Sequence, residues 1–232
     1  MDVSAAVDAR RSVRAFLPTP VPDEVIADLL TKASRAPSGG NVQPWRIYVI
    51  GSGTMPSFLR HLEEHPSDTE AAYDIYPQKL WDPYRTNRFE LGEQMYALLG
   101  IERDDRAGRL RRFDDNYRFF DAPAAIFCFI ERKMGPPQWS DLGMFLQTFM
   151  LLAVEAGLDT CPQEAWAAKP QAVASFVGAP PEEMIFCGVA IGHAAPDAPV
   201  NSLRSERMPL DRWATFVPPE GELTPSEPGG LG

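Results

Sequence analysis

The run Ala-Ala-Ile-Phe-Cys-Phe-Ile at residues 124–130 is apolar at every position. An alternating strand needs cover on one face, but a strand apolar throughout needs cover on both. Residues 142–158 offer one such cover. Leu142, Phe145, Leu146, Phe149, Leu152 and Ala153 make a helix apolar almost all round, of the kind buried at a centre or across a subunit interface, and Gly157 ends it. Residues 184–192 read as a second buried strand, and residues 46–50 as a short β-type run. Two helices are expected near the start. One spans 2–14 with Val3, Ala6 and Val7 on one side; the other spans 22–36, opened by Pro22 and Asp23 and striped by Val25, Ile26, Leu29, Leu30 and Ala33. The 232 residues, 44% of them hydrophobic, suffice for one sizeable core, expected over 1–216. Residues 217–232, rich in proline and glycine, carry no core-forming pattern and are expected to be disordered or draped on a partner.

Charge narrows the partners. With 32 acidic against 22 basic residues the chain carries a formal charge of −10, which weighs against nucleic acid and anionic membranes and favours small molecules. No basic segment followed by an apolar run opens the chain, so a cytoplasmic protein without a membrane span is expected. Cys128, Cys161 and Cys187 are too few and too scattered for a disulfide framework, and with His61, His65 and His193 they form no metal-ligand spacing. Gly51-Ser52-Gly53-Thr54-Met55-Pro56 follows a strand as a dinucleotide fingerprint does, but Pro56 stands where that motif needs its third glycine. A turn with proline at the start of the next helix is the better reading. No phosphate-cleaving P-loop motif occurs.

Two stretches carry recognition chemistry. Arg10, Arg11 and Arg14 lie within five residues, with Ser12 among them and no acidic residue between Ala9 and Pro22. Such a local reversal of sign fits an anion site, since guanidinium forks match phosphate, and it also fits a solvated basic face. Residues 36–45 read Ala-Pro-Ser-Gly-Gly-Asn-Val-Gln-Pro-Trp. Pro37 and Pro44 bracket glycines that permit close approach, and Ser38, Asn41 and Gln43 supply donors and acceptors suited to the edge of a heterocycle. The same composition also suits a plain helix-to-strand connector.

The order and spacing of these two stretches, with a helical segment between them, resemble the nitroreductase family of FMN-dependent oxidoreductases. Residues 157–164, Gly-Leu-Asp-Thr-Cys-Pro-Gln-Glu, and the terminal Arg207-Met208-Pro209-Leu210 also match. The resemblance implies an α+β fold with a central mixed β-sheet flanked by helices, in an intertwined homodimer with two FMN sites at its interface. It implies that Arg10, Arg11, Ser12, Arg14 and Arg207 hold the phosphate and ribityl part of one FMN, while Pro37, Ser38, Gly39 and Asn41 of the other subunit cover its ring. Pro162, Gln163 and Glu164 would lie against the central ring, with a backbone N–H near Glu164 facing N5; read from the residues alone, that segment is a helix start. The family's basic residue two before the terminal arginine is here Ser205, and Arg204, one position off, is a substitute.

The activity implied is NAD(P)H-dependent reduction of nitroaromatic or quinone-like acceptors, by alternate entry of donor and acceptor and hydride transfer through flavin N5, with no catalytic side chain and protons from water. Other readings are a different flavin reaction on the same scaffold, such as reductive dehalogenation, dehydrogenation or flavin-ring cleavage, or a flavin-binding dimer without turnover. Between residues 65 and 117 the resemblance is weakest. Its aromatic residues, Tyr73, Tyr76, Trp81, Tyr84, Phe89 and Tyr96, either roof a pocket or pin a surface excursion to the core. Arg85 and Arg88 are candidates for cofactor or substrate carboxylate. Arg106, Arg109, Arg111 and Arg112, interleaved with aspartates, read as a solvated helix face with internal pairs.

Overall fold

A computed structural model describes residues 1–65 and 68–218. Its elements in chain order are α1 (Val3–Ala9), α2 (Asp23–Ala33), β1 (Arg46–Ile50), α3 (Met55–Glu64), α4 (Tyr84–Leu98), α5 (Arg106–Asp114), β2 (Ala124–Glu131), α6 (Pro136–Glu155), β3 (Asp159–Gln163), α7 (Pro170–Val177) and β4 (Glu183–Gly192). The strands form one sheet in the order β1-β2-β4-β3. β2 is central, and every residue from Ala124 to Ile130 is buried.

Because side chains alternate along a strand, β2 feeds two cores. Ala124, Ile126, Cys128 and Ile130 pack beneath Ile26, Leu29 and Ala33 of α2 and Leu142, Phe145 and Phe149 of α6. Ala125, Phe127 and Phe129 face the other way, toward Phe58 of α3, Val173 of α7, Phe119 and Trp166. The result is an α+β sandwich of three layers, the two-sided cover that the apolar run demands. On the second face Phe119, Phe120 and Asp121 all have positive φ, of 53°, 54° and 62°. Left-handed backbone costs a non-glycine residue roughly 1–2 kcal/mol, and here the complete burial of Phe119 holds it in place.

The sheet is antiparallel in all three named pairings, where a mixed sheet is expected from the sequence. The parallel contribution among the described residues is a single bridge, Ser12 to Thr160. That bridge reflects a second departure. The first helix, expected over 2–14, stops at Ala9, and the chain then runs extended beside β3 at Thr160 and beside the residues that follow β4 at His193 and Ala194. Val13 N–H donates to Thr160 O at 3.0 Å and Leu17 N–H to His193 O at 2.8 Å. Pairing with the free sheet edge satisfies backbone groups on both segments, and it buries β-branched Val13 completely. α2 likewise ends at Ala33, three residues short, and α6 begins earlier than its apolar stripe, at Pro136. The weakly patterned stretch after residue 65 contains α4 and α5, and α4 buries none of its residues.

Among the described residues no helix is long and apolar enough to cross a membrane, and no group of His, Cys, Asp and Glu is placed to hold a metal ion. Of the expected 217–232 tail, 219–232 lie outside the described residues.

Gly188 of β4 sits where the second core leaves no room for a side chain. A Cβ there would lie 2.7 Å from Trp166 Nε1 and 3.1 Å from Phe119 Cε1. Gly188→Ala is expected to destabilise the fold by about 1–3 kcal/mol through overpacking, read as a lower denaturant midpoint.

Candidate functional site

The extended segment after α1 places Arg10, Arg11, Ser12 and Arg14 in a cleft of about 540 Å³ that also receives Arg204, Ser205 and Arg207 from the far end of the chain. Asn201 ties the two segments together. Buried, it accepts from Arg14 N–H at 2.9 Å and donates to Ala15 O at 2.8 Å and Ala195 O at 3.0 Å. None of the five arginines forms an ion pair among the described residues. Arg207 Nη1 donates to Ser205 Oγ at 2.6 Å, so Ser205 orients its neighbour, while Arg204 brings a second charge to the cleft wall. Desolvation, followed by repulsion from Arg207, lowers the pKa of Arg10 from its ordinary value. Arg11 Nε is buried with no partner. Asp8 also lines the cleft but forms no ion pair with them, so five arginines, one with an orphaned donor, outnumber a single carboxylate there, an arrangement suited to an anion.

Beside this cleft, Pro162 and Gln163 close β3, and Glu164 opens a 3-10 turn rather than an α-helix. Buried Gln163 donates through Nε2 to Asn116 O at 2.8 Å and Asn116 Oδ1 at 3.2 Å, which leaves its own Oε1 buried and unpartnered. Partial desolvation raises the pKa of the Glu164 carboxyl.

The 36–45 loop is rigid but stands apart from the arginines. Gly39 N–H donates to both carboxylate oxygens of buried Asp141 at 3.3 Å, and Gln43 N–H to Ser38 Oγ at 3.0 Å. Gly40, Asn41 and Gln43 take positive φ, which is why glycine and asparagine serve there. Pro37, Gly39 and Asn41 are exposed, and Ser38 is half-buried. None of these four lines the arginine cleft of its own chain. Asp141, which anchors the loop, is invisible in the sequence, because one acid in an apolar helix carries no pattern.

A larger cleft, about 980 Å³, adjoins the first and is walled by Tyr76, Leu80, Trp81, Tyr84 and Met208, with Arg88 and Arg207 at its margin. A third, of about 220 Å³, contains Arg14, Arg88, Arg112 and Asn116. Leu91 of α4 lines all three. The basic cluster on α5 is not simply a solvated face. Arg109 pairs with Glu93 of α4 at 2.6 Å, and Arg112 donates to Arg14 O at 3.0 Å while its guanidinium lies over Phe120. Arg112 thus supports the anion cleft from behind, by a contact between distant segments that no local spacing could signal.

The profile of the Nitroreductase family matches residues 7–193, most of the chain. The chain belongs to the nitroreductase family. Within the family it is 37% identical over 219 residues to the 4-nitrobenzoate reductase of Pseudomonas putida, covering 93% of this chain and 96% of that protein. The FMN- and NADPH-dependent nitroreductase NfnB of Sphigopyxis sp. strain HMH superposes with a TM-score of 0.89 at 43% identity, covering 94% and 100% of the two chains. NfnB of Mycobacterium smegmatis, solved in complex with NADPH, superposes at 0.86 with 26% identity over 94% and 100%.

For this nitroreductase-family chain, an anion that pairs with the arginines relieves their repulsion. Inorganic phosphate is therefore expected to raise the melting temperature more than chloride at equal ionic strength, and the double variant Arg10→Gln, Arg207→Gln to lose that difference.

Proposed function

We propose that this chain is a cytoplasmic, homodimeric FMN enzyme that uses NAD(P)H to reduce nitroaromatic or quinone-like acceptors, with 1–216 as its single functional domain. The observation that carries this reading is the junction at Leu91 of an arginine-rich cleft with an aromatic-walled cleft. The first suits the phosphate of FMN and the second a flat acceptor. Kinship with FMN- and NADPH-dependent nitroreductases supports it.

In this reading Arg10, Arg11, Ser12, Arg14, Arg204 and Arg207 hold the phosphate and ribityl chain. The unpartnered Arg11 Nε and Gln163 Oε1 are groups that such a ligand satisfies. Pro162, Gln163 and Glu164 form a floor for the ring. The remaining cover, Pro37, Ser38, Gly39 and Asn41, comes from the second subunit. Its exclusion from the arginine cleft of its own chain, and the exposed Val3 and Val7 of α1, favour that arrangement. When bound, FMN supplies a ring able to take up a hydride from NAD(P)H and release it to the acceptor. The protein's part is to bind, orient and exclude water: the arginines fix one end of the cofactor, and Tyr76, Trp81 and Tyr84 offer faces on which an acceptor ring stacks. No side chain is required as acid or base, and protons come from water. Three free cysteines are compatible with a reducing compartment.

Anaerobic spectra test the activity. The purified protein is expected to show flavin absorbance that bleaches with NADPH or NADH and returns with a nitroaromatic; a protein that takes up no FMN and consumes no NAD(P)H refutes it. Subunit sharing has its own check. Asn41→Ala and Arg207→Gln should each lower FMN retention, and co-refolding the two variants should restore about a quarter of the sites, since half the dimers are mixed and each mixed dimer has one intact site.

A further inference from the structure

Two arginines face outward near the start of α4, and the fold treats them differently. Arg85 is neutralised by Asp82, through Nη2 to Oδ2 at 2.6 Å and Nε to Oδ1 at 3.2 Å. Arg88 has no carboxylate partner among the described residues. Its guanidinium instead lies 4.5 Å from the centre of the Tyr76 ring. Stacking against one face of the fork restrains it while leaving the N–H edges available. Around it the larger cleft presents Trp81 packed edge-on against Tyr84 at 5.5 Å, with Leu80 and Met208 completing an apolar wall. Glu90 and Glu206 also line this cleft and balance Arg88 and Arg207 in number, but neither is paired with Arg88.

An aromatic and aliphatic wall beside Arg88, which is stacked on Tyr76 and has no ion pair among the described residues, has a specific complement: a flat ring carrying one carboxylate. We infer that Arg88 is a specificity-determining residue that selects aromatic acids as acceptors, binding the carboxylate while the ring stacks on Trp81 and Tyr84. This deepens the reductase reading and rests on it for turnover, though not for binding. A phosphate of the nicotinamide donor would also attract an arginine. The carboxylated ring is favoured because the walls beside Arg88 are aromatic and aliphatic, whereas four of the arginines that a phosphate could recruit, Arg10, Arg11, Arg14 and Arg204, line the neighbouring cleft and Arg207 is the one arginine lining both.

Two measurements decide it. Calorimetric titration of the purified flavin-bound protein with benzoate and benzamide reads recognition of the charge without any reaction. Initial rates with 4-nitrobenzoate and its methyl ester read it during turnover. Benzoate is expected to bind about tenfold or more tighter than benzamide, in keeping with a charge-assisted hydrogen bond. Arg88→Met should erase that difference and lower the acid-to-ester ratio of kcat/KM about ten- to a hundredfold, and Arg85→Met should leave the ratio as it is. Equal binding of benzoate and benzamide by the wild type overturns the assignment. So does an Arg88→Met variant that raises the KM for NADPH or sheds flavin with the acid-to-ester ratio intact, because Arg88 then serves donor or cofactor. Benzoate binding without reduction of either nitro compound keeps the acid site and refutes the reductase; equal reduction of both compounds does the reverse.

Discussion

The pairing of residues 12–17 onto the outer edge of the sheet is the constraint from which the site follows. By leaving α1 at Ala9 and running beside Thr160 and His193, the chain closes an edge that would otherwise expose unpaired backbone groups. Asn201 then fastens the C-terminal segment to the same strip through two hydrogen bonds, one from Arg14 N–H and one to Ala15 O. These contacts are short and neutral, and they join segments far apart in the chain. Their combined effect is to bring arginines from opposite ends of the chain to one cleft.

That convergence opposes stability. Arg10 loses hydration and feels Arg207, and nothing in the described protein offsets the repulsion with a carboxylate. The fold tolerates this because two extensive buried cores, one on either face of β2, carry the stability. A site kept electrostatically incomplete in the protein alone is one in which an anionic ligand adds stability on binding.

The recognition loop at 36–45 shows the same division between scaffold and site. Asp141 in α6 holds Gly39, the stacking of Trp45 on Phe145 fixes the loop's exit, and its exposed residues do not line the arginine cleft. Helix α4 buries none of its residues, yet Leu91 on it meets all three clefts and Arg88 meets two. An element held so lightly to the core is suited to shape a ligand cleft rather than to build the fold.

The sequence by itself determined the layered plan. Continuous apolarity over 124–130 required cover on both faces, and periodicity marked the helices that supply it. It also identified the two recognition stretches, because arginine forks and glycine-rich loops carry their chemistry in residue type. It missed the end of α1, the antiparallel pairing, helix α4, and the supporting parts of Asp141, Asn201 and Arg112. Each of these was decided by a partner distant in the chain: β3's open edge for residues 10–16, Gly39 for Asp141, and Arg14 for Arg112. Local pattern reports what a segment prefers with its neighbours, whereas a sheet edge, a buried hydrogen bond or a shared cleft exists only once segments far apart in the chain have packed together.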